Sequence, residues 1–224
     1  MMTKKKLKST KLSRVEKLLG EHYGSRKFRS GKSALEILIA TILSQNTSDL
    51  NSAKAYAALQ EKFPNWSDLA RARRTSIEKA IAPGGLARIK SAYIKTALQK
   101  IYHDFGEYDI EIINSWPLEK SLAYLTTFNG VGHKTCACVL LFAFGKKIMP
   151  VDTHVHRIAY RLGLVSDKKD RFKTYEYYLG LNNIIDYYNL HLNLIRHGRE
   201  TCKSSRPDCK NCILSKICNY AEHE

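Results

Sequence analysis

The sequence has no apolar run approaching the roughly 18 residues that a membrane-spanning helix requires, which excludes a helical integral membrane protein. Its basic opening, MMTKKKLKST, is not followed by an apolar segment, so it is not a secretory signal and reads as a short disordered tail. The expected location is therefore inside the cell, cytoplasmic or at the nucleoid if prokaryotic. No low-complexity linker or internal repeat interrupts the 224 residues, which suffice for one large or two small domains with a substantial core. No sustained period-2 alternation is flanked by hairpin turns, so little sheet is expected. Acid is scarce: 21 Asp and Glu stand against 37 Lys and Arg, a formal net charge of +16. Such an excess attracts polyanions through phosphate neutralisation and counterion release. Alone it suits a nucleic-acid binder first, then a ribosome-associated protein or a binder of anionic membranes. The cations are spread from Lys54 through Arg71, Arg73 and Lys95 to Lys146 and Lys169, which suggests a broad face.

What is present is helical periodicity, and the fold class it implies is all-α. Ser13-Arg14-Val15-Glu16, Ser33-Ala34-Leu35-Glu36 and Thr75-Ser76-Ile77-Glu78 each have the capping-box form, hydroxyl and carboxylate satisfying first-turn amides. After the second box, ALEILIATILS is apolar almost all round and predicts a buried central helix. Further helices are expected over 49–63, ended by Pro64, and over 86–105, between the breaker Pro83-Gly84-Gly85 and Gly106. Segments 118–128, 134–144, 153–162, 172–188 and 190–197 complete the set.

Phe128-Asn129-Gly130-Val131-Gly132-His133-Lys134-Thr135 links two of these helices. Two glycines one residue apart permit a tight turn and expose amides at the start of the second helix. Together with the positive end of the helix dipole, those amides suit a DNA phosphate. A plain helix–turn–helix connection is the bland alternative. Lys134 lies in the first turn of the second helix, where the dipole disfavours a cation and so favours the free amine of a nucleophile. A solvated lysine touching phosphate is the competing reading. Asp152, before Thr153-His154, reads as an N-cap. A capping carboxylate is held rigidly and ionised, so it could also stabilise an oxocarbenium-like centre or help Lys134 lose its proton.

Cys202, Cys209, Cys212 and Cys218 fall within the last 23 residues with the spacing C-x6-C-x2-C-x5-C. Four soft thiolates suit zinc or an iron–sulfur cluster, and their chemistry alone does not separate the two. Cys136 and Cys138, in an apolar run, read as small buried helix residues. The histidines at 133, 154, 156, 191 and 197 lack the company that metal ligands keep.

The segment FNGVGHKTCACVLLFAFGKKIMPVDTH resembles the helix-hairpin-helix, Gly/Pro-rich loop and aspartate of the endonuclease III superfamily of DNA glycosylases. The likeness extends through LIATILSQNTSD and PGGLARIK upstream and LIRHGRETC and the cysteines downstream, about residues 30 to 220 in order. It implies two helical lobes: a barrel of about six helices over 28–146 carrying the hairpin, and a cluster-bearing lobe from 1–27 with 147–224. DNA would lie across the cleft between them. The lysine matched by Lys134 attacks C1′ and expels the base, and the Schiff base then undergoes β-elimination; Asp152 matches the catalytic aspartate. The cysteine spacing is the one the family uses for a [4Fe–4S] cluster, which folds the loop 203–208 so that Lys203 and Arg206 face phosphates. Asn46 stands where the family usually has a gap-filling glutamine, a departure resembling the archaeal-type branch, and Leu86 matches the opposite-strand wedge. Phe128-Asn129 in place of Leu-Pro is a milder departure. With Gly130, Val131, Gly132 and His133, these residues are the expected DNA contacts. The activity implied is a bifunctional glycosylase/AP lyase, a monomer on double-stranded DNA with damaged bases or abasic sites, acting on oxidised pyrimidines. The alternatives are a glycosylase for uracil or thymine opposite guanine, and a non-catalytic iron–sulfur DNA sensor.

Overall fold

A computed structural model describes residues 4–181 and 185–221, with side chains from residue 10 onward. Among the described residues there are eleven α-helices, three short 3-10 turns and no strand. They fall into two compact units, Ser30–Lys146 and Met1–Arg29 with Lys147–Glu224.

The unit Ser30–Lys146 is built around α2 (Ala34–Ser44). Its capping box forms as the sequence predicts: the Glu36 amide donates to Ser33 Oγ at 3.2 Å and the Ser33 amide to Glu36 Oε2 at 2.7 Å. Leu35, Ile37, Leu38, Ile39, Ile42 and Leu43 are all buried. At about 2 kcal/mol for each such side chain, the hydrophobic effect fixes this helix at the core. It packs on α8 (His133–Phe144), whose own side chains are mostly buried, and on α3 (Asp49–Lys62) and α6 (Ala87–Phe105). The helix α3 starts at the Ser48 cap and ends at Phe63 before Pro64; α6 ends at Gly106 in the left-handed conformation. Between them lie α4 (Trp66–Arg71) and α5 (Arg74–Ile81), and α7 (Leu118–Thr126) precedes the hairpin.

The other unit packs α1 (Lys4–Tyr23) and α9 (Thr153–Arg161) on α11 (Tyr187–Glu200), with α10 (Arg171–Leu179) beside α9. Here several expectations are corrected. The basic opening is helical from Lys4, not a disordered tail. Ser13 therefore lies inside α1 and caps nothing: the carboxylate of Glu16 instead accepts from the Asp186 amide at 2.6 Å, at the start of α11. Thr75 likewise sits inside α5, which begins at Arg74, and Glu78 pairs with the Arg74 guanidinium at 3.0 Å. The helix expected over 172–188 stops at Leu179, and α11 begins anew behind the Asp186 cap; residues 182–184 lie outside the described residues.

Candidate functional site

In the first unit the hairpin 129–132 stands between α7 and α8. Gly130 has φ 74°, and a Cβ there would lie 2.2 Å from the ring of Tyr93 on α6, so only glycine fits. Its carbonyl accepts from Gln45 Nε2 at 2.8 Å, tying the turn to the loop after α2. Val131 is buried and its amide is already spent on the Phe128 carbonyl at 3.1 Å, so it offers no donor to an anion. Gly132 is the N-cap of α8 without a side-chain cap, and the first helix bond runs from the Cys136 amide to the Gly132 carbonyl at 3.0 Å. The amides of Gly132 and Lys134 have no partner among the described residues, which leaves an open, partially positive helix end. His133 and Lys134 are exposed there. The Lys134 ammonium has no hydrogen-bond or ion-pair partner among the described residues. Cys136 and Cys138, on the buried face of the same helix, are packing residues; burial pushes the Cys136 thiol up to about 12.

Two loops of this unit hold residues in the left-handed region. Asn46, exposed after α2, and Leu86, the N-cap of α6, both have φ 51°, and Leu86 is 48% exposed despite being apolar. Leucine is costly in that conformation, so the geometry is imposed from outside the residue. Neither loop conformation was visible in the sequence.

In the second unit Asp152 is half-buried at the N-cap of α9, its Oδ1 accepting from the Val155 amide at 2.8 Å. Its Oδ2 has no partner among the described residues, so one carboxylate oxygen holds the helix while the other remains available. Cys202, Cys209, Cys212 and Cys218 line one cavity whose apolar wall includes Ile158, Leu162, Pro207 and Leu214. Burial raises the Cys212 thiol, a penalty that coordination to a metal would remove. His197 lies 3.5 Å from Cys212 Sγ through Nε2 and meets the Tyr23 hydroxyl through Nδ1 at 3.1 Å; burial pushes it down to about 4, keeping it neutral.

Two arginines here had no signal in the sequence beyond net charge. The Arg161 guanidinium, 8% exposed, donates to Cys202 Sγ at 3.2 Å and to the carbonyls of Lys203 at 2.7 Å and Ser204 at 3.2 Å. Arg157 donates to the Cys202 carbonyl from Nε at 3.0 Å. The Asp208 amide closes the loop onto the Thr201 carbonyl at 3.0 Å. Backbone carbonyls are thus consumed inward, and the side chains of Lys203 and Arg206 are exposed; Arg206 is the third non-glycine with positive φ, 50°.

Comparison with known proteins adds four findings. Residues 39–180 match the HhH-GPD superfamily base excision DNA repair protein family. An endonuclease III of Sulfolobus acidocaldarius is 34% identical over 185 residues, 82% of this chain and 80% of that protein. A putative DNA glycosylase of Arabidopsis thaliana is 39% identical over 184 residues, 81% of this chain, which spans only 59% of the length of that relative. Among solved structures, a non-covalent endonuclease III–DNA complex superposes with a TM-score of 0.81 at 24% identity, covering 100% of this chain and 98% of that one, a likeness of fold.

Proposed function

This chain belongs to the HhH-GPD superfamily of base excision DNA repair proteins, as an enzyme of the endonuclease III-like DNA glycosylase class, and on that premise we propose that it is bifunctional, removing oxidised pyrimidines and cutting abasic sites through Lys134. The observation that carries the reading is the unpaired Lys134 amine beside an amide-lined helix end that suits a phosphate. The amine attacks C1′; the glycosidic electron pair leaves with the base, which takes up a proton. The nitrogen gives up a proton and its electron pair expels O4′, which takes up a proton as the sugar ring opens to a Schiff base; loss of a C2′ proton then expels the 3′ phosphate by β-elimination. Asp152, with one oxygen fixed and one available, stabilises the positive charge that develops on the sugar. Glycines 130 and 132 with His133 hold the phosphate, Lys203 and Arg206 add further phosphate contacts, Asn46 fills the space that a flipped nucleotide leaves, and Leu86 wedges into the opposite strand. Double-stranded DNA with a damaged base or abasic site is the substrate, bound by a monomer wherever the cell keeps its DNA.

The four cysteines fit a [4Fe–4S] cluster. All four line one cavity, and four soft thiolates are the donor set that such a cluster would take. Bound there, the cluster supplies a rigid anchor for the loop 203–208; the Arg161 guanidinium on Cys202 Sγ balances thiolate charge.

The test is borohydride trapping on thymine-glycol and abasic duplexes, with Lys134→Ala alongside. A covalent adduct on both duplexes, lost in Lys134→Ala, is expected. An adduct on the abasic duplex alone would keep the lyase and replace oxidised pyrimidines with mismatched or deaminated bases. No adduct on either would overturn the lysine mechanism and leave a DNA-binding protein without chemistry.

A further inference from the structure

Lys90 lies in the first turn of α6 and is 1% exposed. Its ammonium has no carboxylate partner among the described residues; it donates to two backbone carbonyls, Leu43 at 2.7 Å and Gly84 at 2.8 Å. Burial without a counter-charge pushes this amine down from its ordinary value. As a core filler it is a poor choice, since methionine would occupy the same space without desolvating a charge. What the amine uniquely provides is a bridge between two carbonyls that sit at corresponding places. Leu43 is in the last turn of α2, three residues before Asn46; Gly84 is in the turn before α6, two residues before Leu86. Asn46 and Leu86 are the two non-glycine residues of this unit with positive φ.

The surrounding packing converges on the same loops. A Cβ on Gly84 would lie 2.9 Å from Ala55 Cβ, so the turn is pressed against α3. One turn along α6 from Lys90, Tyr93 backs Gly130, and Gln45 joins the Asn46 loop to the Gly130 carbonyl. Lys90 is therefore the internal link in a set of three loops that carry Asn46, Leu86 and the hairpin.

We propose that Lys90 is a positioning residue: its ammonium clips the Asn46 and Leu86 loops into one rigid edge, so that both side chains enter the duplex together when a nucleotide is extruded. This rests on the proposed DNA-repair reading, and the test separates the two. The full chain is titrated against a duplex carrying an uncleavable tetrahydrofuran abasic analogue with 2-aminopurine as its neighbour, whose fluorescence rises when the stack opens. No bond is broken, so the signal is independent of Lys134 chemistry. Lys90→Met is expected to reduce the fluorescence rise at saturating protein to less than half. A purely structural role would lower melting temperature and affinity but leave the saturating amplitude intact. An intact amplitude in folded Lys90→Met overturns the inference alone; absence of any rise with the wild-type chain overturns it together with the reading it rests on. Should Lys90→Met fail to fold, Lys90→Gln, which keeps a donor for one carbonyl, takes its place: a reduced amplitude supports the clip and a wild-type amplitude refutes it.

Discussion

Replacing Asp152 by asparagine removes a charge while keeping an acceptor, which separates the two roles assigned to this side chain. The cap is the bond from the Val155 amide to Oδ1 at 2.8 Å, and asparagine caps about as well as aspartate. Asp152→Asn should therefore change stability only by the charge–dipole share, about 0.3–1 kcal/mol. Asp152→Ala deletes the acceptor and should cost a further 1 kcal/mol or so, because α9 is only nine residues long and carries buried Val155, Ile158 and Ala159. Activity should follow charge instead. Loss of a fixed electrostatic stabiliser lowers a chemical step by roughly 100- to 1000-fold, so both variants should fall by that order in single-turnover excision from a thymine-glycol duplex. Urea unfolding of the same preparations supplies the stability axis. Excision by Asp152→Asn within threefold of wild type would refute the catalytic role and leave the carboxylate a cap.

Gly130→Ala places a methyl group where the Tyr93 ring stands and forces φ 74° on a residue with a Cβ. A loss of about 2–3 kcal/mol is expected, read as a lower denaturation midpoint; an unchanged midpoint would contradict the packing. Tyr187 donates to the carbonyls of Tyr178 and Leu181, both at 2.9 Å, and burial pushes its hydroxyl up to about 12. Between pH 10 and 12 the unfolded chain has lost a proton that the folded chain keeps, so stability falls as pH rises. Tyr187→Phe should cost about 1 kcal/mol at neutral pH yet show a shallower decline across that window in pH-resolved urea unfolding. An equally steep decline would remove Tyr187 as a source.

The parts of the molecule that local physics decides were legible in the sequence. The Ser33 box, the all-apolar α2, the Asp152 cap and the glycine hairpin each follow from side chains within a few residues of one another. The failures share a cause. Ser13 and Thr75 carry the same local pattern as Ser33, but their glutamates are engaged elsewhere: Glu16 serves an amide 170 residues away, and Glu78 serves Arg74 and Ser91. A capping box is equally compatible with a helix interior when the chain upstream is itself helical, and the lysine-rich opening is helical. Lys90 and Arg161 were hidden for a related reason. Both count as surface charge in a composition, and only tertiary packing shows that their donors are consumed by backbone carbonyls and, for Arg161, a thiol.

Asn46, Leu86 and Arg206 are the non-glycine residues with positive φ among those described. Each costs roughly 1–2 kcal/mol against a total stability of about 5–15 kcal/mol, asparagine the least because it tolerates this region. Glycine at any of them would relieve the strain, and all three side chains are exposed, so none is retained for core packing. Leu86 sharpens the point, since an exposed leucine in a left-handed turn is unfavourable on both counts. The supports are also specific: Lys90 on the carbonyls upstream of Asn46 and Leu86, and Arg161 on the carbonyls of Lys203 and Ser204 upstream of Arg206. In each case a buried cation holds the backbone just before the strained residue. On the proposed function, a fold that spends stability to keep three side chains outward, and buries charges to keep them there, would be shaped by contact with DNA, the polyanion that a net charge of +16 also suits.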